Sequence, residues 1–317
     1  MKYCKLFRVK PGSDLRLKKI DPNFTAEHEG KKSAVKMVEK LNKELRDLQY
    51  LLYAEGKHSL LICLQALDAA GKDGTINHVL GSMNPQGARV HGFKAPSKEE
   101  LAHDFLWRIA KQTPGKGEVV VFNRSHYEDV LVVRVHNLVP KSVWKQRYDI
   151  INNFERNLAE SGTHILKFFL HISSEEQLLR FRQRLEDPAR HWKISESDYS
   201  EREHWDDYTK AYEEALRKTS TDYAPWYVIP ANNKWFRNLA VAKIVTEKLK
   251  SLNMKFPAPS VNIEEITEQF HQAQKKEEDR IGKAAWEKLS SRKDSKEEIK
   301  QADIVEEALH PSGSGPA

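Results

Sequence analysis

At 317 residues, the chain can build one large α/β domain with extensions, or two modest domains. Its hydrophobic share of 39% and charged share of 31% suit a soluble protein, no apolar run reaches membrane-spanning length, and MKYCKLFRVKPG lacks a signal-peptide core, so a cytoplasmic protein without a membrane partner is expected. The net charge of +6 suits a polyanionic partner without choosing between nucleic acid and another phosphate polymer, and Cys4 and Cys63 support neither a disulfide framework nor a zinc site.

Residues 1–30 read as irregular, broken by Pro11, Gly12, Pro22 and Gly30. Lys31 to Glu55 carries Val35, Val38, Leu41, Leu45, Leu48 and Leu52 at helical spacing, with Gly56 as its stop. Leu60 to Leu64 is a short apolar run that predicts a buried parallel strand, and Ile76 to Met83 a short helix ended by Asn84-Pro85. Ala88 to Phe93 predicts a second strand, Ser97 to about Lys111 a helix, and Glu118 to Phe122 a third strand. Tyr127 to Leu138 and Lys141 to Glu160 read as helices parted near Pro140, Ile165 to Ile172 as a fourth strand and Tyr227 to Ile229 as a fifth. Strands and helices thus alternate over roughly residues 58–250, which predicts a doubly wound, mostly parallel sheet. From Pro257 the composition turns charged, predicting a helical stretch from Ile263 to about Leu309 and then a disordered end.

Three stretches carry chemistry. In LLICLQALDAAGKDGT (Leu60 to Thr75) a strand runs into Gly71, Lys72, Asp73, Gly74 and Thr75 at a helix start, where backbone N–H groups cradle phosphate and Lys72 adds a mobile ammonium. The fit to G-x-x-x-x-G-K-[ST] is partial, since Ala66 replaces the first Gly and Asp73 the Ser/Thr, and a structural Gly-rich turn also suits these residues. Asp68 would repel a phosphate, which points to a metal ion or to proton transfer. The second stretch, Asn123 to Asp129, lies at the end of the third strand, where ligands collect in open α/β sheets. The third is a basic, aromatic insertion with Arg180, Arg182, Arg184, Arg190 and Lys193, which reads either as a solvated helix face with Trp192 and Trp205 in the core or as a closing lid. Phosphoryl transfer needs positioning and charge neutralisation rather than covalent help, and this set supplies both.

Leu67 to Gly74 resembles the phosphate loop of the polyphosphate kinase 2 family, and Phe122-Asn123-Arg124-Ser125-His126-Tyr127-Glu128 resembles its second signature. Gln183 to Pro188 with Lys193 is similar to its lid, and Tyr223 to Trp226, Ile229 to Ala231 and Asn233-Lys234 to the run before its last helix. The resemblance covers about residues 30–255. It implies a P-loop kinase-like three-layer α/β/α sandwich with a five-stranded, mostly parallel sheet and a helical lid insertion at about 180–207. Residues 1–57 would form an N-terminal segment and helix, 58–255 the catalytic domain, and 256–317 a charged tail. The implied activity is reversible phosphoryl transfer from inorganic polyphosphate to AMP or ADP with Mg²⁺, or Mn²⁺ in its place, in a homodimer or homotetramer. No nucleic-acid partner is implied.

The resemblance also implies roles. Asp68, Lys72, Arg124 and Arg184 would be catalytic. Ala70, Gly71, Lys72, Asp73, Gly74, Thr75, Arg134 and Arg180 would bind phosphate or polyphosphate, and Lys94, Asn123 and Glu128 the nucleotide. Asp68 and Glu128 would hold the metal, because Asn123 stands where many relatives carry Asp and an amide supplies no charge. His126 is expected to orient its loop, with Phe168, Phe169, Leu170, Trp226 and Tyr227 in the core. An ATP-dependent nucleotide kinase of the same fold and a basic nucleic-acid-binding protein are the competing readings. The first would carry the complete loop motif; the second would bind in a salt-sensitive way independent of Lys72.

Overall fold

The computed structural model describes residues 3–26 and 30–291. Two compact units divide the chain, residues 1–257 and 258–317. The first is built on five parallel strands: β1 (Ser59–Gln65), β2 (Ala88–Gly92), β3 (Val119–Asn123), β4 (Thr163–His171) and β5 (Trp226–Pro230), in the order β2-β3-β1-β4-β5. Every residue of β1 is buried, because helices cover both faces of the sheet. Alternation along β1 shows the two layers. Leu60, Ile62 and Leu64 join the core under the helices Lys31–Glu55 and Lys234–Lys250, while Leu61 and Cys63 face a cluster flanked by Phe154 and Leu158 of helix Lys141–Glu160. Each such fully buried aliphatic side chain contributes about 1.5–3 kcal/mol. The result is a three-layer α/β/α sandwich.

Register places the site. Leu64 of β1 lies beside Asn123 of β3, and the Arg124 N–H donates to the Leu64 carbonyl at 3.1 Å. The chain leaves β1 toward β2 but leaves β3 toward β4 on the opposite flank. The C-terminal ends of β1 and β3 therefore flank a switch point, the usual place for a ligand in such sheets.

Helix Lys31–Glu55 ends as expected at Gly56, which adopts φ +62° and donates to the Leu52 carbonyl. The segment before it is more ordered than its Pro and Gly content suggests, since Tyr3 and Phe7 of the short helix Tyr3–Phe7 are buried in the core. The helix expected over 97–111 is two short turns, Lys98–Leu101 and Trp107–Ala110. Ser97 and Glu100 form the first capping box, and the Asp104 carboxylate accepts from the Leu106 N–H, restarting the chain. Likewise 127–138 is a 3₁₀ turn, His126–Val130, capped by Ser125, followed by Val132–Val135.

In the second unit, helices Ile263–Ile281 and Lys283–Ser290 are parted at Gly282, whose φ of +87° breaks the expected single helix. The stretch expected to continue to about Leu309 and the end after it lie outside the described residues. Among the described residues, no helix is long and apolar enough to cross a membrane.

Candidate active site

The loop after β1 turns through two left-handed residues, Ala69 (φ +62°) and Gly71 (φ +106°), and delivers the helical turn Lys72–Thr75 into a π-type turn at Ile76–Leu80. Asp68, Gly71, Lys72, Asp73 and Gly74 line a cleft of about 1490 Å³. The Lys72 ammonium donates to the Ala66 carbonyl at 3.0 Å. Burial pulls its pKa below the ordinary lysine range, while Asp68, Glu128 and Asp73 pull the other way.

The end of β3 forms the opposite lip. Arg124, itself at φ +63°, donates to Asp68 Oδ1 at 2.9 Å, and Asn123 Nδ2 donates to Asp73 Oδ1 at 2.8 Å. Burial works against the Arg124 charge, but Glu128 and Asp68 outweigh it and raise its pKa. The two sequence motifs are thus joined side chain to side chain across the cleft.

The insertion closes the third side. Arg184 of helix Ser174–Glu186 lines the cleft with Arg190 and Lys193 of the 3₁₀ turn Pro188–Lys193, and Lys94 lines it from the end of β2. Arg184 is held by Asp198 at 3.3 Å and by the Lys193 carbonyl at 3.2 Å. Among the described residues, ten Lys or Arg side chains line this cleft against three carboxylates, a field that favours a polyanion.

Not every expected residue faces the cleft. Ala70 is fully buried and offers its carbonyl to Arg180 and Arg237, while Thr75 is buried with its hydroxyl turned back to the Gly71 carbonyl at 3.1 Å. Arg180 lines the cleft as a strut: its guanidinium donates to the carbonyls of Ala69, Ala70, Ala231 and Asn232 and to Glu176, tying the phosphate loop to the end of β5. Arg134 lies elsewhere, paired with Glu214 at 2.7 Å, stacked on Trp144 and lining a separate depression of about 390 Å³. Glu128 acts electrostatically on Lys72 and Arg124 without lining the cleft. Trp192, a core residue in the alternative reading of the insertion, is 78% exposed.

Beneath the β3 loop lies a sealed network. Glu155 receives hydrogen bonds from His126 Nε2 at 3.1 Å, Tyr127 at 2.8 Å and Lys167 at 2.5 Å, all of these residues having no measurable exposure. Burial alone would raise the Glu155 carboxyl, but Lys167 and His126 hold it below the usual range. His126 anchors its loop, as expected. Sequence reasoning missed Arg237, which lines the cleft from helix Lys234–Lys250; its signal was its place one turn after Asn233-Lys234.

A metal can be tested against these donors. Asp68 and Asp73 each engage one carboxylate oxygen with a neighbour, and among the described residues no three His, Cys, Asp or Glu converge as an all-protein cage. That suits Mg²⁺, which binds through one or two carboxylates together with substrate phosphates.

A parallel α/β/α sandwich with a glycine loop at its switch point and an arginine lid defines a protein of the P-loop kinase-like class. Residues 28–257 match the polyphosphate kinase 2 family, and the chain belongs to that family. It is 54% identical over 263 residues to the AMP/ADP-polyphosphate phosphotransferase of Meiothermus ruber, covering 83% of this chain and 98% of that one. It is 45% identical to the ADP-polyphosphate phosphotransferase of Rhodopseudomonas palustris, covering 80% of this chain and 92% of the relative. The crystal structure of polyphosphate kinase 2 from Arthrobacter aurescens superposes with a TM-score of 0.83 at 42% identity, over 86% of this chain and 97% of that one.

Proposed function

We propose that the protein is a polyphosphate-dependent nucleotide kinase, moving the terminal phosphoryl group of inorganic polyphosphate onto AMP or ADP, reversibly. The observation that carries this is the convergence of Lys72, Arg124 and Arg184, from three separate segments, on one strongly basic cleft at the phosphate loop. A moving phosphoryl group spreads negative charge over its equatorial oxygens, and cations fixed in advance lower its energy without reorganisation. Lys72 and the N–H groups around Gly71 and Gly74 hold the transferring phosphate. Arg124 neutralises it from the β3 side and keeps Asp68 oriented, while Arg184, Arg190 and Lys193 clamp the polymer and exclude water when the lid closes.

Asp68 is the carboxylate that would hold Mg²⁺, or Mn²⁺ in its place, with Glu128 reinforcing the negative field behind it. Held there, the ion would supply positive charge against the negative charge of the substrate phosphates. Lys94 and Asn123 would meet the nucleotide. The family resemblance also points to a homodimer or homotetramer, while a cytoplasmic setting and no need for nucleic acid are expected from the sequence itself.

The test is ATP formation by the purified protein from Mg²⁺, long-chain polyphosphate and either AMP or ADP. Product from both acceptors bears the proposal out. Nucleotide phosphorylation that requires ATP and ignores polyphosphate overturns the donor.

A further inference from the structure

Among the described residues five arginines line the cleft, and four have a carboxylate of this chain: Arg124 with Asp68 at 2.9 Å, Arg180 with Glu176 at 2.7 Å, Arg184 with Asp198 at 3.3 Å and Arg190 with Asp187 at 2.8 Å. Arg237 has none among the described residues. Only 2% exposed, it donates through Nη1 to the Ala70 carbonyl at 3.1 Å and through Nε and Nη2 to the Asn238 side-chain carbonyl at 3.1 and 2.8 Å. These are neutral acceptors, and they occupy three of the five N–H groups a guanidinium carries. The charged neighbour that acts on it most is Arg180, a like charge, which together with burial draws its pKa down to about 9.

Its position is as informative as its charge. A Cβ on Gly71 would sit 1.8 Å from Arg237 Nη1, and one on Gly74 would sit 3.0 Å from Nη2. Both loop glycines leave room for this guanidinium, and the positive φ of Gly71 is a second, separate reason for glycine there. A buried cation with no counter-charge is unfavourable unless something supplies one.

We infer that Arg237 is a phosphate-binding residue, and that a phosphate group of the substrate, held over Gly71 and Gly74, provides the missing counter-charge. The inference rests on the phosphotransfer reading and adds to it a cation from helix Lys234–Lys250, outside the loop, strand-end and lid motifs. The two spare N–H groups suit two oxygens of one phosphate, the fork geometry in which arginine exceeds lysine. That phosphate belongs either to the polymer or to the nucleotide, and kinetics separate the two sources.

Thermal unfolding and steady-state kinetics of Arg237→Met test the inference. A ligand-free variant that melts at or above the wild type, with most of the upward shift induced by polyphosphate lost and KM for polyphosphate raised at least tenfold, is the expected result. A raised KM for ADP instead, with loss of the ADP-induced shift, assigns the phosphate to the nucleotide and still supports Arg237 as a phosphate ligand. Melting well below the wild type with ligand-induced shifts and both KM values unchanged overturns it, because that is the signature of a strut. Should the Met variant fail to fold, Arg237→Lys decides: KM for polyphosphate or ADP raised several-fold supports the fork, and both unchanged overturn it. A wild type that neither ligand stabilises would instead count against the phosphotransfer reading itself.

Discussion

Two lysines of this molecule are drawn out of water to different ends. Lys167 on β4 has no measurable exposure, and its ammonium donates to Glu155, to the Tyr127 hydroxyl and to the Thr219 carbonyl. Three N–H groups meet three acceptors, and a carboxylate balances the charge. Lys72 is half-buried on the cleft wall and donates to one carbonyl, that of Ala66. Burial depresses both pKa values. What separates them is what remains unsatisfied: Lys167 is complete within the fold, whereas Lys72 keeps donor capacity facing the cleft. Completeness marks a structural charge and incompleteness a chemical one.

Removing each charge should therefore damage different properties. The largest effect is expected for Lys72→Ala, with kcat/KM for polyphosphate down about 10²–10³-fold or more, as for loss of a preorganised donor to transition-state charge. Its melting temperature should stay close to that of the wild type, since the lost hydrogen bond is single. Near-wild-type turnover in this variant would break the comparison at its stronger end.

Next in size, Lys167→Ala should lower stability by about 3–5 kcal/mol, because it strands the buried Glu155 carboxylate. Replacing the pair, as Lys167→Met with Glu155→Leu, should recover most of that loss, which urea titration would measure. If the double variant is no more stable than the single one, the network contributes through its geometry rather than its charge balance.

A third variant probes the border between the two regions. Asp68→Asn keeps an acceptor for Arg124 but removes the negative charge at 2.9 Å from it. Activity at limiting Mg²⁺ should fall about tenfold or more and should recover in part at higher Mg²⁺ or Mn²⁺ if Asp68 supplies a metal-binding charge. No recovery at millimolar Mn²⁺ or Mg²⁺ would mean that the charge acts through Arg124 and the loop rather than through the metal.

The open region was more legible than the sealed one. All five strands and the helix Lys31–Glu55 could be read from apolar runs and period, because a parallel sheet covered on both faces needs uninterrupted hydrophobic strands. The loop residues Asp68 to Gly74 and the strand end at Asn123 and Arg124 carry local motifs, and register brings them together. Arg134 and Arg180 were legible as basic residues but not as partners. One finds Glu214 and Trp144, the other four carbonyls, and only tertiary contacts decide such pairings. The broken helix at 97–111 turned on one side chain, Asp104, competing for a backbone N–H. Lys167 lay in an otherwise apolar strand with no motif to mark it, and Arg237 one turn past the Asn233-Lys234 motif, inside a largely apolar helix pattern. Glu155 lies 12 residues from Lys167 in sequence, and Ala70 lies 167 from Arg237.

The smallest effect concerns a charge midway between the two kinds. Asp129, half-buried, receives two Arg147 contacts at 3.0 Å, to its carbonyl and its carboxylate, yet burial raises its pKa from 3.8 to about 6 against the pull of Arg147. A carboxyl with a raised folded-state pKa binds its proton more tightly in the native protein. Its stabilising contribution is therefore complete below about pH 4 and is lost as pH rises through about 6. In an Asp129→Asn variant the side-chain amide would still accept from Arg147 but would not titrate. The melting temperature of the wild type relative to this variant should consequently fall by a few degrees between pH 4.5 and 7.5, with kcat/KM at pH 7.5 within about twofold. A constant difference across that range would mean that Arg147 fully compensates the burial of Asp129, placing this pair with the completed charges around Lys167. A sloping difference places it with the unfinished ones, although it does not line the cleft, so that incompleteness alone would no longer identify a chemical role.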